Sequence, residues 1–175
     1  RFLQYTGAFG IMAGFAGIIP AYALEQHGVI TQNDVQTNPE INLLIRKHSI
    51  DIGGRDGTAI TVNGSIPGPI VRLKEGKEAV INVTNELEED TSIHWHGLYQ
   101  RGTPWADGSN MVSQPNQRPG ETFWYEFEAE PYGTHFYHSH VAMQRARGMA
   151  GPILIHQRND PIRDMYDEDK IVFIA

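Results

Sequence analysis

The sequence predicts an all-β fold, a sandwich of two packed sheets, and three features carry that prediction. Short apolar or alternating runs recur after residue 40, Gly, Pro and Asn clusters separate them, and no stretch carries a long amphipathic helix. Many short strands punctuated by turns, without helices, are what a β-sandwich needs.

In chain order, residues 1–23 stand apart. Residues 7–19 are apolar and rich in Gly and Ala, followed by Pro20 and an A-x-A cleavage pattern at Ala21-Tyr22-Ala23, as in an export signal. The run is short for a stable membrane span. Arg1-Phe2-Leu3-Gln4 resembles the end of a twin-arginine signal lacking its arginine pair. Periplasmic or secreted localisation is therefore expected. Residues 24–40 are polar and aperiodic, a leader. Strands are expected at 41–52, 58–62, 70–73, 78–84, 92–98, 122–129, 134–140 and 151–156. Within 122–129 the alternation puts Phe123, Tyr125 and Phe127 on one face. Residues 98–119 form a long Gly/Pro-rich loop, a length usually reserved for function. After the last strand, 158–175 reads as a charged linker and the first strand of a further domain. The main domain is expected at 41–157. With Arg1 rather than Met at the start and an apolar run at the end, the expectation is a fragment of a longer, three-domain protein.

The 175 residues carry a net charge of −7 and no Lys/Arg-rich run, which argues against nucleic acid or an anionic membrane as partner. There is no cysteine, so disulfides and thiolate metal sites are excluded within this chain.

The chemistry is concentrated in His94-Trp95-His96-Gly97 and His138-Ser139-His140. In a strand, residues i and i+2 share a face about 6.6 Å apart, so each pair aims two imidazoles one way and sends Trp95 or Ser139 the other. A single pair of this kind is commonly structural. Two pairs, each in an aromatic, strand-like context, converge four imidazoles if their strands are neighbours, and imidazole is a good ligand for copper. His135 has the opposite strand parity from His138 and is expected to point away. His27, His48 and His156 read as surface or edge residues, and Trp95, Trp105 and Tyr137 as packing around the site.

From residue 41 onward the chain resembles the first domain of the laccase-type multicopper oxidases. The resemblance rests on Asn63-Gly64-Ser65-Ile66-Pro67-Gly68-Pro69, Val83-Thr84-Asn85, Thr91-Ser92-Ile93-His94-Trp95-His96-Gly97, the segment 100–108, Pro119-Gly120-Glu121-Thr122-Phe123, 133–140 and 148–152. It implies a Greek-key sandwich of cupredoxin type. It also implies that His94 binds a type 2 copper, His96 and His138 one copper of a type 3 pair, and His140 the other. Four further histidines would come from the C-terminal cupredoxin domain of the same protein. The partners implied are O2 and a small reducing substrate, phenolic or aromatic or Cu(I), oxidised at a type 1 copper that needs a cysteine this chain lacks. Asp107 is placed beside the type 2 copper as a proton relay; Asp107-Gly108 is also a favoured turn pair. Segment 100–108 is nearer to phenol oxidases than to copper-resistance oxidases. One departure is Pro115-Asn116 after Ser113-Gln114, where many laccases place a disulfide cysteine. The alternative function is an exported copper-binding or copper-resistance protein without turnover. A copper nitrite reductase fits poorly, because its ligand spacing differs and includes a cysteine.

Overall fold

The structure, a computed structural model, describes residues 40–51 and 53–174. The expected export segment and most of the leader lie outside those residues. Eight strands follow in order: β1 (Glu40–Asp51), β2 (Asp56–Val62), β3 (Val71–Lys74), β4 (Glu78–Asn85), β5 (Ile93–His96), β6 (Thr122–Glu128), β7 (Gly133–Ser139) and β8 (Ala150–His156). They form two four-stranded sheets, ordered β2-β1-β4-β6 and β3-β8-β7-β5. Each sheet contains one parallel pairing, β1 with β4 and β3 with β8, and the rest are antiparallel. The all-β sandwich of cupredoxin type predicted from the sequence is what forms. Among the described residues, no helix is long and apolar enough to cross a membrane.

Alternation decides what each strand buries. In β6, Tyr125 and Phe127 face the other sheet and are buried, whereas Trp124 and Glu126, which alternate with them, are exposed. In β5, Ile93 and Trp95 are buried, and in β7 Tyr137 is. Trp95 sits at the centre of the core, edge-on to Tyr125 with ring centroids 5.1 Å apart, and 5.7 Å and 6.1 Å from Phe127 and Tyr137. Offset and edge-to-face contacts of this kind suit the ring quadrupoles. The Tyr137 hydroxyl donates to the Pro69 carbonyl at 2.9 Å. Its ring lies against Gly151, where a Cβ would come within 2.3 Å of it. Glycine there is a packing requirement.

Differences from the sequence reading have local causes. Glu40, assigned to the leader, opens β1 by pairing with Val80. The strand expected at 92–98 is confined to Ile93–His96, because Gly97 has φ +91° and breaks the extended chain. His140 falls just outside β7, since Ser139 ends the ladder. The run beginning at Lys170, expected as the first strand of a further domain, pairs with no strand among the described residues up to Ile174, which leaves that expectation open. Phe173 lies over Phe136 with centroids 6.4 Å apart. Trp105, expected to pack round the site, is 57% exposed on the turn Pro104–Ala106.

Trp95 is the largest fully buried side chain and fills the space between the sheets behind the histidines. Trp95→Ala should lower the unfolding free energy by about 3–5 kcal/mol, the range for truncating a buried aromatic. Denaturant unfolding with an unchanged m-value checks this; a loss under about 1 kcal/mol would show that Trp95 is not central to the core.

Candidate metal centre

The site is built by one pairing. β5 and β7 are antiparallel neighbours with His94 directly opposite His138, Trp95 opposite Tyr137, and His96 opposite Phe136. Because Trp95 and Tyr137 point into the core, their neighbours His94, His96 and His138 point out from the other face of the sheet. His140, one residue past the strand end, joins them. His94 is central: its ring centroid lies 5.5 Å from His96, 5.4 Å from His138 and 5.6 Å from His140. The nitrogens of His94, His96 and His138 fall within 4.8 Å of one another. The centre opens to solvent: His138 is buried, His94 half-buried, and His96 and His140 exposed.

Each ring is held by a partner that selects its tautomer. His94 Nδ1 lies 2.8 Å from the Asp107 main-chain oxygen, and His138 Nδ1 2.8 Å from the Ser139 main-chain oxygen. A carbonyl oxygen only accepts, so both Nδ1 atoms carry the proton and both Nε2 atoms present a lone pair. His140 Nδ1 donates to Asn110 Oδ1 at 3.1 Å. His96 is reversed, with its Nδ1 3.3 Å from His138 Nε2. Its ring stacks on Phe136, centroids 4.4 Å apart and planes 23° from parallel, and the Arg145 guanidinium covers the Phe136 ring at 5.2 Å. Two nitrogens 3.3 Å apart can both bind one ion at about 2.0 Å. The donor set is all imidazole, which suits copper, zinc, iron or nickel, and carbonyl acceptors behind the rings are the usual way to fix such ligands.

Asp107 reaches the centre because the loop 98–119 folds back on β5. The turn Pro104–Ala106 delivers it, and Gly108 follows with φ +82° so close to β5 that a Cβ would lie 1.6 Å from the Ile93 carbonyl oxygen. Asp107 caps the turn Pro104–Ala106, its amide donating to the Pro104 carbonyl, and the bend there brings the carboxylate to His94. Asp107 Oδ2 is 3.4 Å from His94 Nδ1 and accepts a short hydrogen bond from the Ser109 hydroxyl.

The other histidines sit apart. His135 Nε2 bonds the Pro131 carbonyl at 3.0 Å, His48 Nδ1 pairs with the Thr61 hydroxyl at 2.8 Å, and His156 is half-buried at the end of β8. His27 lies outside the described residues. The sequence reading did not single out Asn110, which bonds the His140 ring, Phe136, which stacks on His96, or Ser109, which bonds the Asp107 carboxylate. None belongs to a spacing pattern, so only the folded loops reveal them.

A family model described as multicopper oxidase matches residues 45–160. Laccase-1 of Cryptococcus neoformans var. grubii is 40% identical over 158 residues, 88% of this chain and 25% of the laccase. L-ascorbate oxidase of Cucumis sativus is 46% identical over 112 residues, 62% of this chain and 19% of that oxidase. The crystal structure of a blue copper oxidase from Nitrosomonas europaea is similar with a TM-score of 0.68 at 40% identity, covering 71% of this chain and 41% of that one. The chain thus spans a quarter or less of these two curated relatives.

Burial is the main cause that lowers the pKa of both His96 and His138 from the ordinary 6.5, and the neighbouring His94 adds to it. Both rings therefore keep the neutral, metal-binding form to a lower pH than a free imidazole does. The unfolded chain binds more protons than the folded one in that range, so the contribution to stability is full above 6.5 and lost as pH falls. Imidazole NMR titration of the metal-free chain should give midpoints below 6.5 for both residues. A midpoint above 6.5 for His138 would show that burial does not govern the site.

Proposed function

The chain belongs to the multicopper oxidase family, and on that premise we propose that it supplies four of the eight histidine ligands of a trinuclear copper cluster that reduces O2 to water. The observation that carries the reading is the gathering of three imidazoles round that of His94, three of the four rings having Nδ1 bonded to an oxygen of the protein. Copper bound there would accept single electrons and deliver four to O2, while a phenolic, aromatic or Cu(I) substrate is oxidised at a type 1 copper in another domain.

The residues divide the work. His94 is assigned to the type 2 ion, His96 and His138 to one type 3 ion, and His140 to the other. The 3.3 Å approach of His96 Nδ1 to His138 Nε2 supports pairing those two. Asp107 orients His94 through its main-chain oxygen and holds a carboxylate beside it, where a proton can be stored and released. The open face at His96 and His140 leaves room for the ligands of a C-terminal cupredoxin domain. The export-like segment 1–23 supports a periplasmic or secreted location.

A second reading, a copper-binding protein without turnover, draws support from the lack of cysteine in this chain, which leaves it no thiolate port for electrons. The two readings part in the full-length protein. His138→Ala or His140→Ala should abolish O2 consumption, by at least about 100-fold, the upper end expected for disturbing a metal site, while the blue absorption of a distant thiolate copper persists. Bleaching of the blue band in a folded variant would contradict separate sites. Copper binding by the wild type without any O2 uptake would favour the second reading.

A further inference from the structure

Behind the histidines lies a buried polar cluster with no part in the mechanism above. Gln144, 1% exposed, comes from the loop that follows the second histidine pair. Its Oε1 accepts from the Thr91 hydroxyl at 2.7 Å and from the Ser139 hydroxyl at 2.7 Å, filling both lone pairs. Its Nε2 donates to the Asp90 carbonyl at 2.8 Å. Thr91 precedes β5 and is itself fixed to the long loop by two main-chain hydrogen bonds with Gln117, at 2.9 Å and 2.8 Å. Ser139 stands between His138 and His140, and its oxygen also accepts the Val141 amide at 3.0 Å. One amide group therefore spans the approach to the first histidine pair and the middle of the second.

We propose that Gln144 is a positioning residue that sets the separation of the two histidine pairs by holding the Ser139 and Thr91 hydroxyls on one oxygen. The inference rests on the copper reading of the site. The β5–β7 ladder fixes His94 against His138, but it stops at Ser139. Beyond it, the Ser139 amide donates to the Met149 carbonyl at 3.1 Å, the Ser139 hydroxyl oxygen accepts the Val141 amide on the far side of His140, and Gln144 fixes that hydroxyl. Asn110 holds the His140 ring but not its backbone. In a buried network whose members are all satisfied, losing one member leaves the others without partners, so geometry rather than packing alone is at stake.

Gln144→Leu keeps the volume and removes every polar contact. The Arg147–Glu89 ion pair at 2.8 Å ties the same loop to the same segment and remains. Cu(II) titration of the metal-depleted full-length protein, followed by electron paramagnetic resonance, should show affinity lowered about 10-fold or more with altered copper hyperfine splitting, the scale for losing an outer support of a metal ligand. Ser139→Ala should reproduce the change, and the double variant should be no worse than the more affected single one, because both act through one contact. Should Gln144→Leu fail to fold, Ser139→Ala and Thr91→Val carry the test; unchanged affinity and spectrum in both would overturn the proposal. A fall in melting temperature with an unchanged copper spectrum, or additive effects, would also overturn it. If the wild type binds no Cu(II), the copper reading falls and the proposal with it; if it binds and the variants bind identically, the proposal alone falls.

Discussion

The antiparallel register of β5 and β7 sets Trp95 against Tyr137 on one face of the sheet and His94 against His138 on the other. Side-chain direction in a strand has a period of two, so a one-residue slip would turn the imidazoles into the core and the indole into water. Such a slip would leave an apolar interior holding several ring nitrogens without partners and would expose the largest aromatic of the fold. The core therefore enforces the site. Tyr125, Phe127 and Tyr137 hold Trp95 in place, and the same contacts hold the histidines outward.

Around that pairing the loops supply what a ladder cannot. A strand gives direction, but it does not choose which ring nitrogen faces the centre. Main-chain oxygens of Asp107 and Ser139 make that choice for His94 and His138, and they do so without a competing charge. The Asp107 carboxylate adds a negative charge close to His94. His96 is governed differently: stacking on Phe136 under the Arg145 guanidinium turns its Nδ1 toward His138. Three rings held by hydrogen bonds and one by an aromatic face make a preorganised but solvent-open cluster.

Much of this was legible in the sequence because it follows from periodicity. The strands, the face shared by Tyr125 and Phe127, the outward aim of the two histidine pairs and the separate orientation of His135 all come from counting by two. The bend at Asp107 was legible from composition, though not the closeness of Gly108 to Ile93, which needs the folded loop. Tertiary choices were not legible. Trp105 is apolar enough to predict burial, yet its turn projects it into solvent. The histidine strand ends earlier than its apolar pattern suggests, because Gly97 takes a positive φ. Gln144 is a lone polar residue in an irregular loop, and only its three partners from distant segments give it meaning.

In the proposed cluster, copper ions share this one face, with His96 presenting Nδ1 and its three companions Nε2. Anomalous diffraction at the copper edge from crystals of the copper-loaded full-length protein tests it most directly. The account predicts more than one copper peak against the outer face of β5 and β7, with His96 and His138 ligating the same ion. A single ion enclosed by all four histidines in closed tetrahedral geometry would indicate a structural metal and contradict the account. Copper peaks remote from His94 would contradict it as well.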